Sequence, residues 1–404
     1  MINLELEKSR CLNCAHRPCS MEGCPLNNDI PDFIHAEGEA AMDIVFDKTV
    51  LPSVCGRICP QYKQCQGSCV HGKIDNPLEI GIIEAGIGDA AILLGYKIKT
   101  YIDESYTNKK VAVIGGGPSG LTCAAFLARK GIKVTIYEKH DELGGLLVHG
   151  IPEFRLSKTT VEQSIKLILD LGIEVKLNQE LGKDFMIDDI KSMYDAIYIA
   201  IGANEPIITM EGSNIYSANA LLESKNFPDF ENKKVCISGG GNTAIDMARV
   251  AKRMGAEAQV IYRRSEKQMP AEPREVDDAS RDGVEFMLQT NILNYSNHKL
   301  TCIKTELVKL EDDDRLSPVN IDGTEFEVDC DYLILANGSC PNKRVVKDFT
   351  LNKGGYISVN ENLETSIENV FAGGDVIGTR ATVAWAARNG RDAADRIINK
   401  LKNN

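Results

Sequence analysis

The chain has 404 residues, of which 43% are hydrophobic and 26% are charged, and it carries a formal net charge of −12. This length allows two or three domains with cores of their own, and the composition is typical of a globular protein. The negative charge argues against a general nucleic-acid binder, because the phosphate backbone requires a basic surface. We therefore expect no nucleic-acid partner.

No apolar segment of the sequence approaches the ~20 residues that a membrane-spanning helix requires. The first ten residues, MINLELEKSR, also lack the apolar core of a signal peptide. We therefore expect a cytoplasmic protein with no membrane partner, in which thiols remain reduced. This expectation counts against disulfide bonds as the role of the cysteines described next.

Eight of the thirteen cysteines precede residue 70, in the runs C-x2-C-x4-C-x4-C-P from Cys11 and C-x3-C-P-x4-C-x3-C from Cys55. Zinc sites usually consist of paired C-x2-C knuckles separated by a longer spacer. These runs are denser, and Cys24 and Cys59 are each followed by proline, as in bacterial two-cluster ferredoxins. The spacing favours iron–sulfur ligands over a zinc site or structural thiols.

A nucleotide-binding unit is predicted to begin near residue 110. An apolar strand over 111–114 leads into G-x-G-x-x-G at Gly115, Gly117 and Gly120, then a helix and a second strand that ends at Glu138. Glycines let the backbone approach a pyrophosphate, and a helix N-terminus favours negative charge. A carboxylate at the end of the second strand can accept hydrogen bonds from a ribose hydroxyl. The combination predicts a dinucleotide site.

A second copy follows 124 residues later, with G-x-G-x-x-A at Gly239, Gly241 and Ala244. The acid at the end of its second strand is replaced by Arg263 and Arg264. A carboxylate would repel a 2′-phosphate, whereas a guanidinium pairs with it. This copy is predicted to prefer NADPH to NADH. The alternative is that the two arginines are only solvent-exposed residues of a loop.

Two matching strands, YDAIYIAIGA (194–203) and CDYLILANGS (330–339), are predicted to close the two nucleotide-binding segments. This order indicates one nucleotide domain inserted into another. Residues 370–398 then read as a strand, a Gly-Gly-Asp turn and a helix. Asp375 in that turn would meet a ribityl or phosphate group of a flavin, although a simple helix cap is the alternative.

Six segments of the sequence resemble those of a known family: LPSVCGRICPQYKQCQGSC (51–69), GGGPSGL (115–121), GGLLVHGIPEFRL (144–156), GGGNTAIDMAR (239–249), YRRSEKQMPAEPREV (262–276) and AGGD (372–375). The chain resembles, over essentially its whole length, the small (β) subunit of bacterial glutamate synthase and related FAD and iron–sulfur NAD(P)H oxidoreductases. These include the electron-entry half of dihydropyrimidine dehydrogenase and the large subunit of NADH-dependent ferredoxin:NADP oxidoreductase.

The resemblance implies a helical N-terminal domain with two 4Fe–4S clusters, followed by two Rossmann-like domains of glutathione-reductase type, the second inserted in the first. The implied domains are the helical domain at 1–105, the FAD-binding domain at 106–205 and 330–404, and the NADPH-binding domain at 206–329.

The resemblance also implies the cluster ligands. One cluster is assigned to Cys11, Cys14, Cys19 and Cys69. The other is assigned to Cys24, Cys59 and Cys65, with Glu84 in place of a fourth cysteine. Cys55 is then a thiol that binds no iron. However, two clusters with four ligands each would account for all eight cysteines, so Cys55 remains the alternative to Glu84.

The candidate cofactor-binding residues lie in the glycine loops, at the ends of the strands that follow them, and in the matching segments. They are Gly115, Gly117, Pro118, Ser119, Gly120, Glu138, Lys139, Gly145, Arg155, Gly202, Gly239, Gly241, Asn242, Thr243, Arg263, Arg264, Gly374, Asp375, Thr382 and Val383.

The expected function is electron entry, with cofactors FAD, two 4Fe–4S clusters and NADPH, or NADH as the alternative donor. A flavin belongs between a two-electron donor and one-electron clusters, and hydride transfer requires no catalytic acid or base from the protein. The expected partner is a larger catalytic subunit or a ferredoxin-type acceptor. A glutamate synthase small subunit is favoured over an input subunit of a dihydropyrimidine dehydrogenase or ferredoxin:NAD(P) oxidoreductase, and over a non-enzymatic redox sensor or scaffold.

Overall fold

The structure is a computed structural model that describes residues 3–309 and 316–402. It contains two compact units. The first comprises the described residues up to Val148, Glu153–Ala203 and the described residues from Pro341. The second comprises His149–Pro152 and the described part of Asn204–Cys340. In sequence, the second unit is thus inserted into the first.

The N-terminal part of the first unit is helical, as the resemblance implies. A π-helical turn at Cys19–Gly23 lies between the first two of its α-helices. These helices are α1 (Leu4–Ser9), α2 (Ile30–His35), α3 (Gly38–Lys48), α4 (Pro52–Ile58) and α5 (Ile80–Leu94). Proline at the first position of α4 needs no hydrogen-bond partner for its nitrogen, and Gly95 ends α5 in the left-handed conformation.

Glycines bring the backbones of α4 and α5 into contact. A Cβ atom on Gly56 of α4 would lie 2.3 Å from the carbonyl oxygen of Gly81, and one on Gly88 would lie 2.5 Å from the backbone nitrogen of Ser53. Gly81 and Gly88 are seven residues apart on α5, so they share one helical face. Glu84, which lies between them in sequence, is therefore held close to the C-terminal end of α4.

The next part of the first unit alternates strands and helices. Its elements are β1 (Lys110–Ile114), α6 (Pro118–Ala128), β2 (Lys133–Tyr137), α7 (Leu146–His149), α8 (Lys158–Leu169), β3 (Glu174–Lys176), α9 (Ile187–Lys191) and β4 (Ala196–Ile199). The predicted unit of strand, glycine loop, helix and strand is present. It was predictable because its sequence signals are local, namely apolar runs of strand length and glycines at the turns. Gly131, beyond α6, has a φ of +92°.

The second unit repeats this pattern and adds antiparallel strands. Its elements are β5 (Glu205–Pro206), β6 (Ile215–Ser217), α10 (Ala218–Ser224), β7 (Lys234–Ser238), α11 (Asn242–Arg253), β8 (Glu257–Tyr262), α12 (Pro273–Arg281), β9 (Glu285–Leu288), β10 (Thr290–Ser296), β11 (Lys299–Val308), β12 (Ser317–Asn320), β13 (Phe326–Asp329), β14 (Tyr332–Leu335) and β15 (Ser339–Cys340).

The chain then returns to the first unit through three elements, α13 (Lys343–Val346), β16 (Val370–Ala372) and α14 (Val383–Lys402). The sheet of the first unit is parallel, in the order β16-β4-β1-β2-β3. The main sheet of the second unit is also parallel, in the order β6-β14-β7-β8-β9. Strands β10–β13 form a separate antiparallel sheet.

Both parallel sheets are covered on both faces, as all-parallel sheets require. On β7, Ile237 packs into the cluster formed with α10 and α11, whereas its neighbour Cys236 packs on the opposite face with Leu300 and Cys302 of β11. In the first unit, α6 and α14 pack so closely that a Cβ atom on Gly390 would lie 2.1 Å from the carbonyl oxygen of Ser119.

The structure corrects one predicted boundary. Residues 330–340 were expected with the C-terminal part of the first unit, but they belong to the second, and the return occurs at Pro341. The reason is strand pairing: Tyr332–Leu335 pair in parallel with Val235–Ser238. The helical segment also groups with the first unit rather than forming a separate one.

The contact between α4 and α5 generates a stability prediction. Gly88→Ala is expected to lower the free energy of unfolding by about 1–3 kcal/mol, because the added methyl group collides with backbone. Gly86→Ala is the matched control on the same helix, since its methyl group would meet only the flexible end of Leu4, at 3.4 Å. The control is expected to be neutral or stabilising by up to about 1 kcal/mol.

Thermal unfolding of both variants, followed by circular dichroism under anaerobic conditions, measures the difference. Equal midpoints for the two variants would contradict the close helix contact.

Candidate functional site

Four of the predicted cluster ligands line one cavity in the helical segment: Cys11, Cys14, Cys19 and Cys69. The rest of the wall is mostly apolar and includes Ile34, Leu78 and Ile80. The tertiary structure thus brings the last cysteine of the second run to the first three cysteines of the first run.

Hydrogen bonds from Arg10 hold this group of cysteines together. Its guanidinium donates to the backbone carbonyl of Asn76 at 2.5 Å and lies 3.3 Å from Nδ1 of His71. The same side chain pairs with Glu7 at 2.8 Å. Because Arg10 precedes Cys11 and His71 follows Cys69 by two residues, these contacts fix the two ends of the group.

Two thiols of this group have pKa values above the ordinary range of cysteine. Burial raises the pKa of Cys19 to about 11, and the neighbouring Cys69 and Cys11 raise it further. Burial also raises the pKa of Cys11. Thiolates that repel one another in an apolar cavity are stabilised by a positively charged metal centre, and binding of the metal releases the thiol protons. The donor set is therefore suited to an iron–sulfur cluster.

A second group of acidic side chains is more deeply buried. It contains Cys24, Cys59, Cys65, Glu84 and also Cys55. Burial raises the pKa of Cys24 to about 12, with Glu84 the next cause. Burial raises the pKa of Cys65 well above its usual range, and nearby Cys24 and Glu84 raise it further.

Glu84 is the carboxylate of this second group, and it accepts a hydrogen bond from Asn28. The Nδ2 of Asn28 donates to its Oε1 at 3.2 Å, whereas burial raises the pKa of Glu84 to about 8. The Oδ1 of Asn28 has no hydrogen-bond partner among the described residues. Sequence reasoning missed Asn28, which lies four residues after Cys24 without any motif to mark it.

Cys55, the alternative fourth ligand, already has partners in the protein. Its sulfur lies 3.9 Å from Oγ1 of Thr49. The pKa of Cys59 is raised first by its hydrogen bond with Cys55 and then by burial. Cys55 and Glu84 therefore both lie beside Cys59, on α4 and α5 respectively.

Across residues 3–309 and 316–402, no three His, Cys, Asp or Glu side chains converge closely enough to bind a single metal ion. This spacing is compatible with 4Fe–4S ligation, because each ligand of such a cluster binds a different iron. All thirteen cysteines are free thiols.

The first glycine loop is shaped by Glu138. Its Oε2 accepts a hydrogen bond from the backbone nitrogen of Gly116 at 2.7 Å, and its Oε1 accepts one from His140 at 3.0 Å. A carboxylate has acceptor capacity beyond these two bonds. Helix α6 starts after Gly117 without a side-chain cap, and the atom nearest to a Cβ on Gly117 would be 4.0 Å away, in Gly145.

Asp375 lies in the turn that faces the start of α6. A Cβ on Gly374 would lie 2.9 Å from that of Ser119, so this turn and the N-terminus of α6 adjoin. The Oδ1 of Asp375 is buried without a hydrogen-bond partner among the described residues, and burial raises its pKa to about 6. The uncapped helix, the open glycine and the unpartnered carboxylate fit the pyrophosphate and ribityl parts of a flavin nucleotide.

The other candidate residues of the first unit are distributed around this loop. Lys139 is exposed, Arg155 is partly exposed, and Val383 is buried at the start of α14. Gly202 has a φ of +72° just after β4. The Oγ1 of Thr382 accepts a hydrogen bond from the backbone nitrogen of Trp385 at 3.4 Å, and therefore caps α14.

The second glycine loop is also open on the ligand side. No atom lies within 4 Å of a Cβ built on Gly241, and α11 begins there without a side-chain cap. The loop is held from the other side by Ala271, whose nitrogen donates to the carbonyl of Gly240 at 3.1 Å. The backbone nitrogen of Glu272 donates to Oδ1 of Asn242 at 2.9 Å. Thr243 is half-buried in the first turn of α11.

Arg263 and Arg264 follow β8 directly, and hydrogen bonds fix their backbones. Thr305 donates to the carbonyl of Arg263 at 2.8 Å, and Gln289 donates to that of Arg264 at 3.1 Å. Arg263 is exposed and Arg264 is half-buried. The Nε of Arg264 is buried without a hydrogen-bond partner among the described residues.

Two family models match the chain. Residues 109–390 match the pyridine nucleotide-disulphide oxidoreductase family, and residues 3–95 match dihydropyrimidine dehydrogenase domain II, which carries a 4Fe–4S cluster. The FprA structure of Mycobacterium tuberculosis in complex with NADPH has a TM-score of 0.64 at 17% identity, over 73% of this chain and 85% of that one. The fold class predicted from the sequence is thereby confirmed.

The two family matches define an oxidoreductase that uses FAD, a pyridine nucleotide and 4Fe–4S chemistry, which confirms the predicted classes of cofactor. The chain is 34% identical to the glutamate synthase [NADPH] small chain of Escherichia coli K12, over 98% of its own length and 91% of that protein's. It is 33% identical to the NADPH-Fe(3+) oxidoreductase subunit beta of Geobacter sulfurreducens, covering 95% of itself and 63% of that subunit.

The chain belongs to the glutamate synthase small subunit-like family of FAD and iron–sulfur NAD(P)H oxidoreductases. The resemblance inferred from the sequence is confirmed. In the described part of the chain, the helices are too short or too polar to cross a bilayer.

The second cysteine group generates a prediction about ligands. Glu84→Ala is expected to change the electron paramagnetic resonance spectrum of one cluster only, because a neutral methyl group cannot bind iron. Cys55→Ala is the matched variant and is expected to retain both clusters and about eight irons per chain.

Anaerobic iron and sulfide assays, together with spectra of the reduced protein, distinguish the two residues. An unchanged spectrum in Glu84→Ala, with a cluster lost in Cys55→Ala, would assign the ligand role to Cys55.

Proposed function

We propose that this protein is an NADPH-oxidising flavoprotein that delivers single electrons through two 4Fe–4S clusters to a partner protein. The observation that carries the proposal is the grouping of the predicted ligands. Two separate sets of thiol and carboxyl side chains lie in the same unit as the glycine loop whose Gly116 donates a hydrogen bond to Glu138. The positions of these groups support a single flavin site that serves two clusters.

FAD, when bound, exchanges a hydride with a nicotinamide and single electrons with iron–sulfur clusters. The role of the chain's own residues is to bind and orient the FAD. In the proposal, Glu138 keeps the first glycine loop in shape and accepts from the adenosine ribose. The N-terminus of α6 receives the pyrophosphate, and Asp375 faces the ribityl or phosphate group. No side chain is assigned a role as catalytic acid or base.

The NADPH site is assigned to the second unit, so that the domains are a helical cluster domain, an FAD-binding domain and an inserted NADPH-binding domain. The open face of Gly241 and the uncapped start of α11 support pyrophosphate binding. The unpartnered Nε of Arg264 supports recognition of a 2′-phosphate. We propose NADPH as the preferred donor over NADH.

Each of the two cysteine groups is proposed to bind one 4Fe–4S cluster. Cys11, Cys14, Cys19 and Cys69 bind one cluster, and Cys24, Cys59, Cys65 and Glu84 bind the other. We favour Glu84 over Cys55 because Cys55 already contacts Thr49 and Cys59. Glu84, by contrast, is 9% exposed with one amide donor, so binding to iron would offset the cost of burying it.

The proposed partner is a larger catalytic subunit, with the large subunit of glutamate synthase favoured. The support is the Escherichia coli small chain, of whose length this chain covers 91%. Thiol ligands of this kind require a reducing compartment, so we place the protein in the cytoplasm.

An alternative is the input subunit of a dihydropyrimidine dehydrogenase or of a ferredoxin:NAD(P) oxidoreductase. The match of residues 3–95 to dihydropyrimidine dehydrogenase domain II favours this alternative. A non-enzymatic sensor or scaffold is disfavoured, because it would not need the open second glycine loop. Co-purification of the chain with a partner, followed by assay of glutamate formation from glutamine and 2-oxoglutarate, distinguishes the two enzyme hypotheses.

The primary test of this function is anaerobic. The purified protein is expected to contain one FAD and about eight irons per chain, and NADPH is expected to bleach the flavin absorbance rapidly. Flavin, iron and sulfide assays followed by titration with NADPH provide the measurement. Zinc in place of iron, or the absence of flavin, would refute the proposal.

Nucleotide preference gives a second prediction. Replacing Arg263 and Arg264 together by glutamine is expected to raise the KM for NADPH about 10–100-fold, because each charge-assisted bond to a phosphate contributes about 1.5–3 kcal/mol. The KM for NADH is expected to change less than about threefold, a range set by the usual effect of a surface charge.

Arg281→Gln is the matched control, since Arg281 is an exposed arginine of the same unit and pairs with Asp278. Equal losses for NADPH and NADH in the double variant would contradict the assigned role of the two arginines.

A further inference from the structure

Two arginines of α14 contact the segment that follows Cys24. Nη1 of Arg388 donates to the backbone carbonyl of Pro25 at 3.1 Å, and Nη1 of Arg391 donates to that of Leu26 at 2.7 Å. Leu26 is 1% exposed. These residues are more than 350 positions apart in sequence, yet two charge-assisted hydrogen bonds join the last helix to the residues directly after a predicted cluster ligand.

The same helix begins at the predicted flavin site. Val383 is its first residue, and five residues further on Arg388 lies about 7.5 Å along the helix axis. Trp385, Arg388 and Arg391 recur at three-residue intervals and therefore lie on one side of the helix. The guanidinium carbon of Arg388 lies 5.2 Å from the ring centre of Trp385, as a stacked cation does.

Arg388 places a positive charge beside the Cys24 segment. Arg388 and Arg391 both pair with Asp392, each at 3.3 Å, and the carboxylate of Asp395 offsets part of the Arg391 charge. The Arg391 side chain is 14% exposed, which limits screening by water. Net charge and hydrogen bonds around a cluster set its reduction potential, and a nearby positive charge favours the reduced state because that state is more negative.

We propose that Arg388 is a positioning residue for electron transfer from the flavin to the cluster that Cys24 ligates. It holds the Cys24–Leu26 segment against α14, and its charge raises the potential of that cluster. The step moves one electron from reduced FAD to the oxidised cluster, and no bond between heavy atoms forms or breaks. This inference rests on the proposed function.

Three variants test the inference in the full-length protein reconstituted with iron, sulfide and FAD. Arg388→Gln keeps a donor for the carbonyl of Pro25 but removes the charge, and Arg388→Lys keeps the charge. Arg396→Gln is the control, because Arg396 is an exposed arginine on the same helix. The readout is the midpoint potential of each cluster, measured by redox titration with electron paramagnetic resonance. The cluster ligated by Cys24 is identified as the one whose spectrum changes in Glu84→Ala or, if Glu84 is not a ligand, in Cys55→Ala.

Arg388→Gln is expected to shift the one-electron equilibrium about tenfold towards the oxidised cluster, a change of about 59 mV. Arg388→Lys and Arg396→Gln are expected to stay within about threefold of the wild type, because charge at this site is retained in both. Iron content, flavin content and flavin bleaching by NADPH are expected to be unchanged. A wild-type potential in Arg388→Gln, or an equal shift in Arg396→Gln, would overturn the proposal.

If Arg388→Gln does not fold, the same charge effect is measured in Asp392→Asn. This variant retains the hydrogen bond to Pro25 but removes the offsetting carboxylate, so the potential of the same cluster is expected to rise. A lowered or unchanged potential would overturn the inference. Failure of the wild type to bind iron or flavin would instead refute the proposed function, and the two failures are therefore distinguishable.

Discussion

Burial of acidic groups that lack cationic partners is the constraint on which the helical segment depends. Glu84 is 9% exposed and lies beside Cys24, Cys59 and Cys65. Ionising these groups together in a low-dielectric site is costly unless a cation offsets their charge. The elevated pKa of Glu84, about 8, expresses the same cost. A positively charged cluster core would remove this cost, so cofactor binding and folding of this segment are coupled.

The close packing of α4 and α5 creates that constraint and makes it specific. Gly56, Gly81 and Gly88 allow the two backbones to touch, and Glu84 of α5 is only 9% exposed. A wider helix pair would hydrate the carboxylate and lower its pKa. The small residues therefore act on the chemistry of the site as well as on its stability.

The two glycine loops, which we propose bind different nucleotides, share one local fold. In both loops, a helix N-terminus without a side-chain cap follows a glycine that has free space on its Cα. A bound pyrophosphate requires such free backbone N–H groups. They differ at the end of the second strand, where Glu138 holds the first loop through Gly116 and Arg264 leaves a donor unpartnered. In the proposed assignment, the residues that follow the second strand therefore distinguish a site for a ribose hydroxyl from a site for a phosphate.

The sequence by itself determined the strand–loop–helix units, because their signals are local: apolar runs, glycines at tight turns and the residue after the second strand. It also indicated iron–sulfur ligands in the cysteine runs, and the family resemblance left Glu84 and Cys55 as alternatives for one ligand. Tertiary structure alone decided that Tyr332–Leu335 pair with Val235–Ser238, since two equivalent closing strands have the same pattern and pairing is a long-range contact. It alone brought Asn28 to Glu84 and α14 to the carbonyls after Cys24, because hydrogen bonds between distant segments leave no periodicity in the chain.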